Sequence, residues 1–118
     1  MVALPRNRHP RNRPVAVLRI ADLEIDALDQ HVLQGSRPIR LSPNEHIVLY
    51  TLASSPGVVV SYRELANALR RDVATVYNNS LARHVSSLRS KLQDDAKRPR
   101  YIETLPGKGF RFVVAAET

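Results

Sequence analysis

The stretch Asn79-Ser80-Leu81-Ala82-Arg83-His84-Val85-Ser86-Ser87-Leu88-Arg89-Ser90-Lys91-Leu92 decides how this chain folds. Leu81, Val85, Leu88 and Leu92 recur at the interval that stacks side chains along one side of an α-helix, and at about 100° per residue they fall within a narrow arc. That arc is the core side. Half a revolution away stand Asn79, Arg83, Ser86 and Ser90, with Ser80 and Ser87 close beside them, and this face carries no acid. Serine is a poor choice for a merely solvated helix face, where Glu and Lys raise helix propensity. Short hydroxyls beside an arginine suit a helix that lies against a groove and reaches base edges and phosphates. The competing reading is a basic, solvated helix that only holds a domain together.

Working back from this helix, two capping boxes announce two more. Ser42-Pro43-Asn44-Glu45 sets a capping serine, a proline where its missing N–H does no harm, and a glutamate at the third position; Ile47, Val48, Leu49, Leu52 and Ala53 then supply an apolar face up to Ser54. Pro56-Gly57 stops it, and Val58 to Val60 reads as a short extended link. Ser61 with Glu64 repeats the box ahead of Leu65, Ala66 and Leu69, which predicts a helix ending near Arg70. Arg71 to Asn78 has no clean period and is assigned to a connecting loop, with Asn78 as the cap of the helix that follows. Two consecutive helices, the second cationic and acid-free, make a helix-turn-helix.

Both flanks alternate. Val17 to Ile20, Leu23 to Asp26, His31 to Gln34 and Pro38 to Leu41 read as four short strands of an antiparallel sheet, with Glu24, Asp26 and Arg40 as solvated positions. After Asp94-Asp95, Arg100 to Val114 reads as a hairpin bent at Pro106-Gly107-Lys108-Gly109, with Ile102, Phe110 and Phe112 inward and Thr104, Lys108 and Arg111 outward or at the tip. A hairpin directly after a helix-turn-helix is a wing. The expected class is therefore α+β: a winged helix-turn-helix with an N-terminal antiparallel four-stranded sheet, three helices and a C-terminal β-hairpin wing. Residues 1–14, with three prolines and four arginines, read as a flexible linker or arm, and 15–118 as the folded domain.

At 118 residues the chain suits one domain. The net charge of +7 points to an anionic partner, and its location is telling: residues 1–14 carry +4, residues 75–93 carry +3, and the remainder balances. There is no cysteine, so neither a disulfide framework nor a thiolate metal site is expected, which fits a reducing compartment. His9, His31, His46 and His84 lack ligand spacing, and no metal or cofactor is implied. No apolar run approaches the ~20 residues that span a bilayer, and prolines and arginines replace the apolar segment of a secretory signal, so the chain is expected in the cytosol.

From Leu23 to Val113 the order of elements resembles the OmpR/PhoB-type effector domain of bacterial response regulators. The residues that carry the resemblance are Ile39-x-Leu41-Ser42-x-x-Glu45; Leu49-x-x-Leu52-x-x-x-Pro56-Gly57-x-Val59-Val60-Ser61-x-x-x-Leu65; His84-Val85-x-x-Leu88-Arg89-x-Lys91-Leu92; and Ile102-x-Thr104-x-x-Gly107-x-Gly109-Phe110-x-Phe112. The resemblance implies a long helix reading the major groove, a wing near the minor groove, head-to-tail dimers on direct-repeat half-sites, and contact between RNA polymerase and the loop at 70–78. By position it makes Arg83, Ser86 and Ser87 base-facing, and Asn79, Ser80, His84, Arg89 and Thr104 phosphate contacts; Arg89, nearer the core arc, is partly a packing residue. Many members have arginines where this chain has Ser86 and Ser87, which implies a different base preference or weaker binding. Arg70 replaces a common tryptophan. Pro106 replaces an arginine that enters the minor groove, and Lys108 stands in for it.

The expected function is sequence-specific binding of double-stranded DNA by a transcriptional regulator, as the output domain of a two-component response regulator with a phosphoacceptor receiver domain in cis. A stand-alone regulator without a receiver is the variant of that reading, and a winged-helix protein-interaction module is the alternative. An enzyme is not expected: Asp94-Asp95 is the one adjacent carboxylate pair and falls in a polar turn, and no serine sits in a Gly-x-Ser-x-Gly elbow.

Overall fold

The computed structural model describes residues 17–70 and 80–113. The arm at 1–14, the connecting loop at 71–78 with its cap Asn78, and Asn79 lie outside the described residues. Four strands come first: β1 (Val17–Ile20), β2 (Leu23–Asp26), β3 (His31–Gln34) and β4 (Arg37–Ile39), paired antiparallel in that order. Alternation dictates what the sheet buries, because Leu18, Ile25, Val32 and Ile39 stand opposite one another in register on the inner face. β4 begins one residue earlier than the expected Pro38 and stops at Ile39. Among the described residues its only partner is β3, and on such an edge the missing N–H of Pro38 costs no ladder bond. Asp26 is more than a solvated acid: its Oδ1 accepts from the N–H groups of Leu28 and Asp29, both at 3.0 Å, and so shapes the β2–β3 turn.

Both capping boxes form. Ser42 Oγ accepts from Glu45 N at 3.2 Å and Glu45 Oε1 from Ser42 N at 2.9 Å, opening α1 (Pro43–Ala53); Ser61 and Glu64 do the same at 3.1 and 2.8 Å for α2 (Tyr62–Leu69). α2 ends on Arg70, whose backbone turns left-handed (φ 59°). α3 (Leu81–Leu92) closes on Gln93 (φ 58°) in a Schellman arrangement, with Asp94 N bonded to Arg89 O at 2.8 Å and Gln93 N to Ser90 O at 3.2 Å. The residue ahead of α3, Ser80, makes no side-chain capping bond to it.

The link at Val58 to Val60 is a strand in its own right. β5 (Val59–Ser61) pairs antiparallel with β7 (Gly109–Phe112), which pairs with β6 (Ile102–Leu105), so the wing is anchored as a three-stranded sheet. The expected α3 seam of Leu81, Val85, Leu88 and Leu92 is buried, as are Leu49 and Leu52 of α1 and Ile102, Phe110 and Phe112 of the wing. His46 packs among them with neither ring nitrogen hydrogen-bonded to a described residue; burial lowers its pKa against the opposing pull of Asp26 and so disfavours the charged ring.

Candidate nucleic-acid interface

Three sides of α3 are held by the rest of the domain, and each hold can be traced to particular residues. On the flank facing the start of α1, His84, Ser87 and Lys91 follow one another at helical spacing. His84 Nε2 lies 3.5 Å from Asn44 Nδ2, Ser87 Oγ donates to Glu45 Oε2 at 2.5 Å, and Lys91 Nζ donates to Glu45 Oε1 at 2.6 Å. On the opposite flank Arg89 reaches the wing: its Nε and Nη2 donate to Ile102 O at 3.3 and 2.7 Å, and Nη2 also donates to Thr104 Oγ1 at 2.8 Å. Arg89 thus ties the angle of the wing to the helix, in keeping with its place near the core arc.

The C-terminal end is gripped from two directions. Gln34 Nε2 donates to Leu92 O at 2.8 Å and to the Tyr101 hydroxyl at 2.9 Å, while Arg37 lies against Lys91 O at 3.4 Å and also bonds Gln34 Oε1. These donors satisfy carbonyls that a helix end leaves without partners. The Tyr101 hydroxyl in turn donates to Asp22 Oδ1 at 2.6 Å; burial first, and then Asp22, raise its pKa. Beyond the helix, Asp94 accepts from three backbone N–H groups of the strand entering the wing: Arg100 at 2.7 Å, Tyr101 at 3.3 Å and Ile102 at 3.0 Å. The carboxylate pair of the sequence is a structural knot.

What remains is the fourth side. Arg83, Ser86 and Ser90 are exposed, and their side chains make no hydrogen bond or ion pair with the described residues. At the wing tip Pro106 and Gly107 (φ 76°) occupy the centre of a type II turn closed by Lys108 N to Leu105 O at 2.9 Å, which leaves Lys108 exposed and likewise without a partner among the described residues. Thr104 is exposed on the edge between helix and wing. Arg111 is not available in the same way, because it forks onto Glu103 across the strand pair at 3.0 and 2.5 Å. Of the residues picked from sequence, then, Arg83 and Ser86 lie on the open side, Thr104 and Lys108 on the wing, His84 and Ser87 on the shoulder towards α1, Arg89 in the joint with the wing and Ser80 just ahead of the helix. Asn79 is outside the described residues.

Glu45 escaped sequence reasoning because the capping box had already accounted for it. It is 5 % exposed, and burial pushes its pKa up; the bonds from Lys91, Ser87 and the Ser42 N–H outweigh that and bring it down to about 2 from an ordinary 4.5. A carboxyl whose folded pKa is depressed stabilises the fold above its unfolded value, and that contribution disappears as the pH falls through the folded one. Wild type should therefore exceed a Glu45→Gln variant in urea midpoint at pH 7, and the gap should close between about pH 4.5 and 2. A gap that stays constant over that window would mean the charge on Glu45 contributes nothing.

Among the described residues no helix is long and apolar enough to cross a membrane, and no three His, Cys, Asp or Glu are grouped to hold a metal. Residues 36–112 match the family described as "Transcriptional regulatory protein, C terminal". The cholera toxin transcriptional activator of Vibrio cholerae is 36 % identical over 81 residues, covering 68 % of this chain and 28 % of its own length. The KDP operon transcriptional regulatory protein KdpE of Escherichia coli is 28 % identical over 109 residues, covering 92 % and 48 %. The chain thus spans less than half the length of these relatives. Among solved structures, the RstA DNA-binding domain of Klebsiella pneumoniae in complex with the RstA box superposes with a TM-score of 0.75 at 29 % identity, covering 82 % of this chain and 96 % of that one. With its sheet, its three helices among the described residues and its C-terminal hairpin, the chain belongs to the OmpR/PhoB-type winged-helix family of transcriptional-regulator C-terminal domains.

Proposed function

We propose that this chain binds double-stranded DNA in a sequence-specific manner as part of a transcriptional regulator, with α3 in the major groove and the wing approaching the neighbouring minor groove. One observation carries the reading: the open face of α3 is acid-free and presents Arg83, Ser86 and Ser90 with no partners among the described residues to compete for them. The solved RstA domain, of the same family, is in complex with its box DNA. Arg83, Ser86 and Ser87 are the base-reading groups of this proposal, Ser87 from the shoulder towards α1. Thr104 and Lys108 serve phosphates from the wing, with Ser80, His84 and Asn79 along the helix start. Arg89 orients the wing. In the same proposal the domain is the output part of a two-component response regulator, binds direct repeats as a head-to-tail pair, and meets RNA polymerase through the segment at 70–78, of which only Arg70 is among the described residues.

Two substitutions separate the roles. Arg83→Ala should cost about 1–3 kcal/mol on the preferred site and blunt the sequence preference. Lys108→Ala should flatten the slope of log K against log salt by about one unit and leave the order of preferred sequences alone. Equal loss on every duplex from the first, or an unchanged slope from the second, would remove that residue from its role. The alternative of a protein-interaction module predicts no steep salt dependence, so titration of duplex DNA across ionic strengths decides between them.

A further inference from the structure

Ser87 and Thr104 each carry one hydroxyl, and the domain has already committed one side of each. A hydroxyl has a single proton and two lone pairs, so what it gives inward decides what it offers outward. The Ser87 proton goes to Glu45 Oε2 at 2.5 Å. Glu45 cannot return one: Lys91 lies 2.6 Å from its other oxygen and the Ser42 N–H 2.9 Å, which hold the carboxyl ionised. At Thr104 the flow is reversed. Arg89 Nη2 donates to Thr104 Oγ1 at 2.8 Å, and a guanidinium accepts nothing, so the threonine proton is left for the solvent side.

We propose that the two hydroxyls are polarised in opposite senses: Ser87 presents only an acceptor and selects an exocyclic amine, adenine N6 or cytosine N4, on the strand it faces, while Thr104 presents a donor to a phosphate oxygen. Glu45 is the positioning residue that sets the sense of Ser87. The inference rests on the DNA-binding reading above and deepens it. In the major groove guanine shows N7 and O6 and thymine shows O4, all acceptors, so either would meet the Ser87 lone pairs head-on. An arginine, which many members of the family have at this position, donates only and suits guanine; here the sign of the readout is inverted. The same geometry argues against Ser87 as a phosphate contact, since it has no proton left to donate.

The test starts with selection of bound duplexes from a random pool by wild type and by Ser87→Ala. One column should demand adenine or cytosine with wild type and lose that demand with Ser87→Ala. In that column, replacing adenine by purine or cytosine by pyrimidin-2-one, each lacking the amine, should weaken wild type by about three- to tenfold and Ser87→Ala not at all. If the column sensitive to Ser87→Ala favours guanine or thymine, or if the amine deletion costs both proteins equally, the proposal is overturned while DNA binding stands. If wild type forms no saturable duplex complex at low salt, the DNA-binding reading falls and takes this one with it. Glu45→Gln, melted first to establish that it is folded, should admit guanine or thymine in that column, because an amide lets Ser87 turn its proton outward; an unchanged preference would remove Glu45 from the role. For Thr104→Val the expected result is a uniform loss on all duplexes with no change in salt slope, and a sequence-dependent loss would overturn the phosphate assignment.

Discussion

Gly109→Ala should lower the thermal midpoint by about 15–30 °C, corresponding to a loss of about 3–5 kcal/mol in a domain of this size. Gly109 has φ 153°, which side-chain-bearing residues rarely adopt, and a Cβ built there would stand 2.0 Å from Val60 O and 3.0 Å from Ser61 Cα. Both neighbours are backbone of β5, held in register against Gly109 and Phe110, so neither can swing aside as a flexible side chain does. Relief requires β5 to part from β7. Since Ser61 at the end of β5 is also the cap of α2, the damage passes directly into the helix-turn-helix. Gly107→Ala is the matching control: it has positive φ (76°) but nothing within 4 Å of the added carbon, and should cost only the local strain of about 1 kcal/mol. Circular dichroism melts of the two variants measure the difference. A midpoint for Gly109→Ala within a few degrees of Gly107→Ala would show that the strand pair yields freely.

Asp94→Asn should cost about 2–3 kcal/mol although it changes neither size nor shape. Oδ1 of Asp94 accepts from Asp95 N and Arg100 N, and Oδ2 from Tyr101 N and Ile102 N. An asparagine supplies one oxygen and one NH2, and whichever way the amide is turned, the NH2 faces backbone donors. Two bonds are lost and donors are set against donors. Ile102 is the residue whose carbonyl receives Arg89, so loosening at Asp94 should also weaken duplex binding by misplacing the wing. Denaturant titration gives the stability term; a variant within about 0.5 kcal/mol of wild type would mean that water serves these N–H groups equally well.

Local rules made much of the fold legible. The two capping boxes, the α3 seam and the wing bend each depend on residues within a few positions of one another, and each forms as its spacing dictates. Readings failed where a residue serves a distant partner as well as a near one. Glu45 caps α1 through Ser42, and nothing local records that its second oxygen holds Ser87, 42 positions later in the chain. Val58 to Val60 looks like a link because the partner strand of β5 lies about fifty residues on. Asp94 reads as a polar turn residue, and three of its four backbone donors come from six to eight residues ahead, where no helical or strand period leads. The open side of α3 was legible for the converse reason: among the described residues Arg83, Ser86 and Ser90 have no distant partner to conceal.

The restraint of α3 on three sides divides its residues into those the fold has already employed and those it has not. Exchanges at Arg83, Ser86 and Ser90 break no bond to a described residue, and surface changes of that kind usually alter stability by no more than about 0.5 kcal/mol. On the proposed DNA-binding reading, descendants of this chain would be able to wander among target sequences by altering these three positions while the scaffold stays intact, whereas a change at Ser87, Arg89 or Lys91 disturbs a contact elsewhere in the domain. On that reading Ser87 alone belongs both to what is recognised and to what is kept, and drift in regulatory wiring through the other three positions has a path that does not pass through unfolding.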